Sequence, residues 1–346
     1  MDLMKDTDEL AQFFNERDDF SGSVRRNEPL KNHTTMGVGG NAKIFLEPDN
    51  MASLIFAART LAEERADFFI LGGGSNVVIA DGGLDAVIST RGLNEIKILA
   101  DNADGNSRPE EICGECIQVD CGAGWGAVLS FCKKNDLGGF EPFSGLSGTT
   151  GGALYMNATC FGLSACDNLV SAQYFDMRDF KIHAYEKNDS DWGYKISPFQ
   201  PEGALRGAPR RGGSGKRGSG WRVGVPSPFV ILSAVFRVRR GFDSQKAEGC
   251  LAARKEKGHF LAPSAGSAFK NDAAHGIIAG KVIDECGLKG FSVGGAQIAP
   301  WHGNLIINPG RKASAGDVRN LADEVRKIVR EQTGAVLESE IIFVGF

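Results

Sequence analysis

The chain has 346 residues, a formal net charge of -4 and 24% charged residues. That length accommodates about two to three domains with real hydrophobic cores, and the slight acidic balance lacks the basic excess of a general nucleic-acid or anionic-membrane binder. The opening MDLMKDTDEL has neither the basic nor the apolar region of a secretory signal, and no stretch reaches the ~20 apolar residues of a membrane span, so the expectation is a cytoplasmic globular enzyme.

In chain order, residues 51–67 carry Leu54, Ile55, Ala58, Leu61 and Ala62 at helical spacing, and FFILGGGSNVVIAD (68–81) reads as strand, glycine loop, strand. IQVDCGAGW (117–125) reads as a strand entering a turn, GAVLSFCKKNDL (126–137) as an amphipathic helix, and GLSGTTGGALYMNA (145–158) as a second glycine-rich turn entering a small-residue segment. Eight cysteines are too few to staple a chain of this length, and Cys113-Gly-Glu-Cys116 lacks the second pair or histidines that complete a zinc site. Ordinary reduced thiols, and no metal, are expected.

The segment from Pro201 to Pro228 is Gly, Pro, Ser and Arg with almost nothing to bury. It reads as a mobile surface loop; an RGG-like nucleic-acid segment is the alternative, disfavoured by the want of interleaved aromatics other than Trp221. FVILSAVFRVRR (229–240) is strand-like by its β-branched and aromatic content. Ser314, with Asp317 three residues on, opens a helix whose stripe is Val318, Leu321, Val325 and Ile328, and which Gly334 stops. AVLESEIIFVG (335–345) reads as a strand with Glu338 and Glu340 on one face. Two carboxylates on one strand face are more often solvated than catalytic.

Three glycine-rich loops stand out: Thr34–Gly40, Leu71–Asn76 and Gly145–Gly152. Glycines let backbone N–H groups approach an anion without an intervening Cβ. The Leu71–Asn76 loop is not a P-loop, since no Gly-Lys-Ser/Thr follows, and it lacks the G-x-G-x-x-G that opens a dinucleotide-binding helix. Each alone suits a tight turn; together they suggest a long phosphate-bearing cofactor lying across several loops.

The residues Asn32-His-Thr-Thr35 with Gly39-Gly40, LGGGSN (71–76) and GLSGTTGGALYMNA (145–158), followed by WGYKISPF (192–199), GSAFKN (266–271), AGKVIDE (279–285), GFSVGGAQ (290–297) and LESE (337–340), resemble the UDP-N-acetylenolpyruvoylglucosamine reductase family from about residue 28 onwards. The resemblance implies an α+β architecture: an FAD-binding fold of the vanillyl-alcohol-oxidase type in two subdomains, 1–90 and 91–240, the latter carrying the basic loop 201–228, plus a smaller α+β substrate-binding domain, 241–346. It implies reduction of the enolpyruvyl ether of UDP-N-acetylglucosamine, with FAD reduced first by NADPH, in a protein expected to be a monomer without nucleic-acid or membrane partners.

For the cofactor the resemblance implies Thr35, Gly39, Gly40, Gly72, Gly73, Gly74, Ser75, Asn76, Gly145, Gly148, Thr149, Gly151, Gly152 and Asn157. It casts Ser267 as the general acid that protonates the substrate carbon left carbanionic after hydride addition, Glu340 as the carboxyl group beside the reacting centre, and Lys195 as an electrostatic stabiliser of the enolate. A nucleophilic Ser267, served by His259 or His275, is the competing hydrolase reading. Another FAD oxidoreductase of the same fold, acting on an alcohol or sugar, is the alternative activity. Tyr194, Lys257, Asn271 and His302 are the candidate substrate-binding residues.

The sequence departs from the family pattern at Lys195, where arginine is usual and grips a carboxylate bidentately; either Lys195 still stabilises the enolate less rigidly, or an arginine of the basic loop compensates. Ser147 and Thr159 stand where proline and glycine are common. The span between Arg240 and Ser267 is too short for the tyrosine-bearing lid of one subgroup.

Overall fold

The computed structural model describes residues 6–99, 115–201 and 227–346. Most of the basic segment 201–228, including Trp221, and Cys113 fall outside the described residues. The chain divides into two compact units, one drawn from Met1–Val24, Leu46–Gly72 and Ala86–Leu251, the other from Arg25–Phe45, Gly73–Asp85 and Ala252–Phe346.

In the first unit a five-stranded antiparallel sheet runs in the spatial order Lys181–Glu186, Leu169–Asp176, Phe229–Arg237, Cys116–Asp120, Ile96–Leu99. Its middle strand, Phe229–Arg237, is buried along nearly its whole length, the pattern of a strand covered on both faces. Cys116, buried, begins its own strand and is not part of a loop. The helix Trp125–Lys134 buries Trp125 among Phe140, Phe143 and Phe236, with ring centroids 5.3, 4.5 and 6.2 Å away. A second aromatic cluster gathers Tyr174, Tyr185, Trp192 and Phe199. The helix Met51–Glu63 follows its expected periodicity: Leu54, Ala58 and Leu61 are fully buried, and the Asn50 side chain caps it by accepting from Ser53 N at 2.8 Å. Phe68–Leu71 pairs in parallel with Ala86–Ser89.

The second unit holds a four-stranded antiparallel sheet in the order Ser264–Ser267, Leu305–Ile307, Ala296–Ile298, Ser292–Val293. The helix Ala315–Thr333 packs on it through Val318, Leu321, Val325 and Val329. Ile328, expected in that stripe, is only half-buried, and Val329 fills the fully buried position. The capping box forms as expected: Ser314 Oγ accepts from Asp317 N, the Asp317 carboxylate accepts from Ser314 N, and Gly334 ends the helix at a φ of 75°. The Asp81 carboxylate also accepts from Ala315 N and Gly316 N, at 2.9 and 3.0 Å, an anion at the positive end of the helix.

The strand expected over 335–345 is confined to Ile342–Val344, which pairs in parallel with Val77–Ile79. Glu338 and Glu340 therefore lie on an irregular segment and not on one face of a strand. Its backbone bonds are taken up by residues 268–270: Lys270 N donates to Glu338 O at 2.8 Å and Glu340 N to Ala268 O at 2.9 Å. Among the described residues, no helix is long and apolar enough to cross a membrane.

The Ser314 cap is an exposed, local contribution. Ser314→Ala is expected to lower stability by about 1 kcal/mol, read from urea unfolding, with the fold and bound cofactor unchanged.

Candidate functional site

The second unit brings the first two glycine loops, the Ser267 strand and the Glu340 segment together. Gly74 has a φ of 65°, and a Cβ there would collide with the His33 carbonyl oxygen. Thr35 N donates to Gly74 O at 3.0 Å, and the Thr35 hydroxyl donates to Ser264 O at 2.7 Å. Asn76 Nδ2 donates to Glu340 O at 3.0 Å, and Ile342 N to Asn76 O at 3.0 Å. Gly73 and Ser75 are half-buried in the same loop. Gly40 N donates to Ala80 O at 3.0 Å, and Gly39, at a φ of 125°, packs on Ile79.

Ser267 ends a strand whose pairing with Leu305–Ile307 shifts register between Ser264 and Ser267, at Gly266, which has a φ of 72°. The bulge re-aims the half-buried Ser267 relative to a regular pleat. Beyond it Ala268 N donates to Asn304 O at 2.9 Å, and the Asn304 side chain closes a two-bond pair with the Phe269 backbone, accepting from its N at 2.9 Å and donating to its O at 2.8 Å. The Glu338 side chain is occupied elsewhere, in an exposed ion pair with Lys270 at 2.6 Å.

Of the candidate substrate residues, Asn271 is exposed and its Oδ1 accepts from Ala279 N at 3.0 Å, capping the start of the helix Ala279–Glu285. Lys257 is exposed just beyond the helix Ser244–Glu256, which occupies much of the span between Arg240 and Ser267. The His302 ring lies 5.6 Å from that of His259. His302 Nδ1 accepts from Asn304 N at 3.1 Å, which fixes the neutral ring with its hydrogen on Nε2. Burial lowers the pKa of His302, and Lys257 and Lys289 push it the same way. Burial, then Arg254, His302 and Lys257, bring His259 down to about 4. Two neutral imidazoles beside several cations form a set of donors suited to an anion. His259, read in the sequence only as a possible serine-activating base, belongs to this cluster.

The first unit assembles the third glycine loop and the Lys195 turn. Thr149 caps the helix Thr150–Met156, with Gly152 N 3.5 Å from its hydroxyl, and a Cβ on Gly72 would lie 2.6 Å from that same oxygen. Gly145 and Gly148 have φ values of 78° and 109°, while Gly151 N donates to Cys121 O at 2.8 Å. Thr159 donates to Asn157 O at 3.2 Å, and Ser147 is exposed. Asn157 ends the helix at a φ of 41°; its amide donates to Gly193 O at 2.8 Å and accepts from Cys166 N at 3.3 Å. That bond ties the glycine loop to the turn Gly193–Ile196, which presents Tyr194 and Lys195.

Lys195 sits in this turn at a φ of 58°, only 9% exposed, its ammonium 5.7 Å from the centre of the exposed Tyr194 ring. Gln200 donates to Lys195 O at 3.2 Å, and Ser197 donates to Tyr155 O at 2.8 Å. A non-glycine residue held at positive φ costs of order 1–3 kcal/mol and persists only where its surroundings over-determine it. The aromatic cluster and these bonds do so.

The fit to FAD rests on the loops. Where Gly72 passes Thr149, and where Gly74 passes His33, a side chain would fill the space or collide, so each loop by itself offers backbone N–H groups and a hydroxyl, Thr149 in the first unit and Ser75 in the second. Such a set suits a pyrophosphate, whose charge is spread over several oxygens. One acidic group, Asp176, Asp179 and His183, brings candidate metal-ligand atoms within 4.8 Å of one another. Asp176 is already gripped by Arg178 at 2.6 Å and Asp179 by His183 at 2.9 Å.

Comparison with known proteins shows the family and the fold. A family model described as an FAD binding domain matches residues 42–182, and one described as the UDP-N-acetylenolpyruvoylglucosamine reductase C-terminal domain matches 257–344. The chain is 36% identical over 332 residues to the UDP-N-acetylenolpyruvoylglucosamine reductase of Treponema denticola, covering 94% of each chain. It is 34% identical over 322 residues to that of Borreliella burgdorferi, covering 92% of this chain and 93% of the other. The crystal structure of the Thermus caldophilus reductase superposes with a TM-score of 0.65 at 26% identity, over 94% of this chain and 99% of that one. The α+β FAD-binding fold expected from the sequence is the fold found.

Gly74→Ala is expected to destabilise the protein by about 1–3 kcal/mol and to reduce the flavin absorbance of the purified protein, because the loop must leave the His33 carbonyl. For His259 the folded-state pKa, about 4, lies below the ordinary 6.5, so the unfolded chain takes up that proton first. Its contribution to stability is therefore complete above pH 6.5 and falls as pH drops towards 4. His259→Gln is expected to flatten that part of the melting-temperature profile, measured from neutral pH downwards.

Proposed function

The chain belongs to the UDP-N-acetylenolpyruvoylglucosamine reductase family of FAD- and NADPH-dependent oxidoreductases, and on that premise we propose how its own side chains divide the reaction. The reaction is the reduction of UDP-N-acetylglucosamine enolpyruvate to UDP-N-acetylmuramate at the expense of NADPH, in peptidoglycan precursor synthesis. FAD, when bound, would supply hydride transfer between NADPH and the vinyl group of the substrate. Thr35 and Gly39–Gly40, Gly72–Asn76, and Gly145–Gly152 with Asn157 would hold it.

Once one vinyl carbon has gained hydride, the π-electron pair collects on the other carbon and the adjoining carboxylate as an enolate. Ser267 Oγ–H gives its proton to that carbon, and the alkoxide recovers a proton from solvent, so that one hydride and one proton add across the double bond. An alcohol is a weak acid, and it suffices only where the carbanionic centre is strongly basic and held in line. Lys195 supplies a cation to the enolate, less directionally than the two-pronged guanidinium usual in the family. Glu340 contributes the carboxyl group beside the reacting centre. Tyr194, Lys257, Asn271 and His302 bind the UDP-sugar.

One observation carries the assignment of Ser267: the bulge at Gly266 that re-aims it sits on a backbone joined to Glu340 through Ala268 O and to the first cofactor loop through Thr35. A nucleophilic serine needs a base in reach; among the described residues neither His275, bonded to Asp272 at 2.6 Å, nor His259, in the cluster with His302, is hydrogen-bonded to Ser267. We keep the three-part division 1–90, 91–240 and 241–346; the family match at 257–344 falls within its third part. We place the enzyme in the cytoplasm as a monomer, with the substrate and NADPH as its partners and no nucleic acid, which the net charge of -4 supports.

Anaerobic half-reactions test the assignment. In Ser267→Ala, flavin reduction by NADPH is expected to proceed at the wild-type rate, and reoxidation by the enol substrate to slow by about 10²–10⁴-fold, the contribution of a positioned acid. Reoxidation at the wild-type rate would remove Ser267 from the chemistry.

A further inference from the structure

We propose that Asn304 is a positioning residue for the proton transfer, acting through the Ser267 backbone; this rests on the reading of Ser267 as general acid. Asn304 is 6% exposed and lies two residues beyond His302, in the sharp connection that leads into the strand Leu305–Ile307. Its side-chain amide forms two bonds to one residue, Phe269, and its own carbonyl accepts from Ala268 N. Three bonds of 2.8–2.9 Å thus fix the two residues that follow Ser267. The residue before Ser267 is Gly266, in a positive-φ conformation at a register shift, where no strand pairing holds the chain. Ser267 pairs with Leu305 and Ser264 with Ile307, so the loose point is the bulge between them, and the chain immediately after Ser267 is held by Asn304.

A side-chain amide reproduces the donor and acceptor of a peptide unit, so Asn304 continues the ladder past the point where the bulge has put the strands out of step. It does so without adding a residue to the strand, which leaves the Ser267 hydroxyl on the face the bulge gives it. Buried and doubly bonded, the amide has little freedom, and its loss leaves the Phe269 N–H and C=O without partners in a closed core. Glu340 does not depend on the same anchor alone: the Asn76 side chain holds its carbonyl at 3.0 Å and Asn76 O accepts from Ile342 N at 3.0 Å. The two proposed catalytic groups are held by different asparagines.

A residue that acts through another has no effect once the other is gone. The experiment measures flavin reduction by NADPH and flavin reoxidation by UDP-N-acetylglucosamine enolpyruvate in FAD-loaded Asn304→Asp, Asn304→Ala, Ser267→Ala and the double variant Ser267→Ala/Asn304→Asp. Asn304→Asp keeps the acceptor for Phe269 N and loses the donor to its carbonyl; Asn304→Ala loses both. The expected result is reoxidation slowed by about 10–100-fold in Asn304→Asp, the scale of an ångström-level misplacement, and more in Asn304→Ala, with flavin reduction at the wild-type rate in both. In the Ser267→Ala background Asn304→Asp is expected to add no further slowing. Wild-type reoxidation in both Asn304 variants, or the same slowing in the Ser267→Ala background, overturns the proposal while leaving Ser267 in place. Equal loss in both half-reactions, or failure of both Asn304 variants to fold, also overturns it, because Asn304 is then a general structural residue. Wild-type reoxidation in Ser267→Ala overturns the reading of Ser267 itself and the proposal with it.

Discussion

The close approach of Gly74 to the His33 carbonyl is the constraint on which the second unit depends. Any side chain at Gly74 would hold the two loops apart. Brought together, they let Thr35 N reach Gly74 O and the Thr35 hydroxyl reach Ser264, so one backbone contact sets the spacing between two cofactor loops and the strand that ends at Ser267. Thr35 was expected from its motif to be a cofactor residue. Its hydroxyl holds the strand that ends at Ser267, which gives a threonine there a reason independent of any flavin.

The first unit solves a parallel problem with side-chain amides and aromatic rings. Lys195 occupies a backbone conformation that a branched or bulky residue avoids, and Trp192, Phe199, Gln200 and Asn157 surround the turn that imposes it. Asn157 itself adopts the left-handed conformation at a helix end, a place where asparagine is tolerated because its short amide bonds locally. The charge of Lys195 is thus delivered by a turn whose shape is determined before the side chain begins, which limits how far a flexible lysine stem can wander.

Much of this was legible in the sequence, and the limits are instructive. The helices Met51–Glu63 and Ala315–Thr333 were readable because each has a local period and a local cap. The glycine loops were readable because backbone freedom is encoded residue by residue. The segment 335–341 misled because its alternation of apolar and polar residues is that of a strand, whereas its backbone bonds go to residues 268–270 in an irregular pairing. Asn304 was not legible: its partner Phe269 is 35 residues away, and a single asparagine in WHGNLIIN carries no local period or spacing. The Asn76 bond to Glu340 spans 264 residues, and only the folded chain reveals it. The lowered pKa values of His259 and His302 escaped for the same reason, since burial is the first cause of each and burial is a tertiary property.

The parallel pairing of Val77–Ile79 with Ile342–Val344 has a consequence for the order in which the polypeptide matures. As the chain leaves the ribosome, the first and second glycine loops emerge early, yet the strand that follows the second finds its partner only after residue 344 has been made. The strands Gly22–Pro29, Asn41–Pro48 and Leu84–Ser89 neighbour one another in a sheet made early, whereas Val77–Ile79 waits for its partner while the intervening polypeptide is synthesised. Closing so long a loop is entropically slow, and edges left open during the wait are sticky. The strand Ile342–Val344 is therefore the last part of that pairing to be made, and the second glycine loop is fixed on its far side only when it arrives.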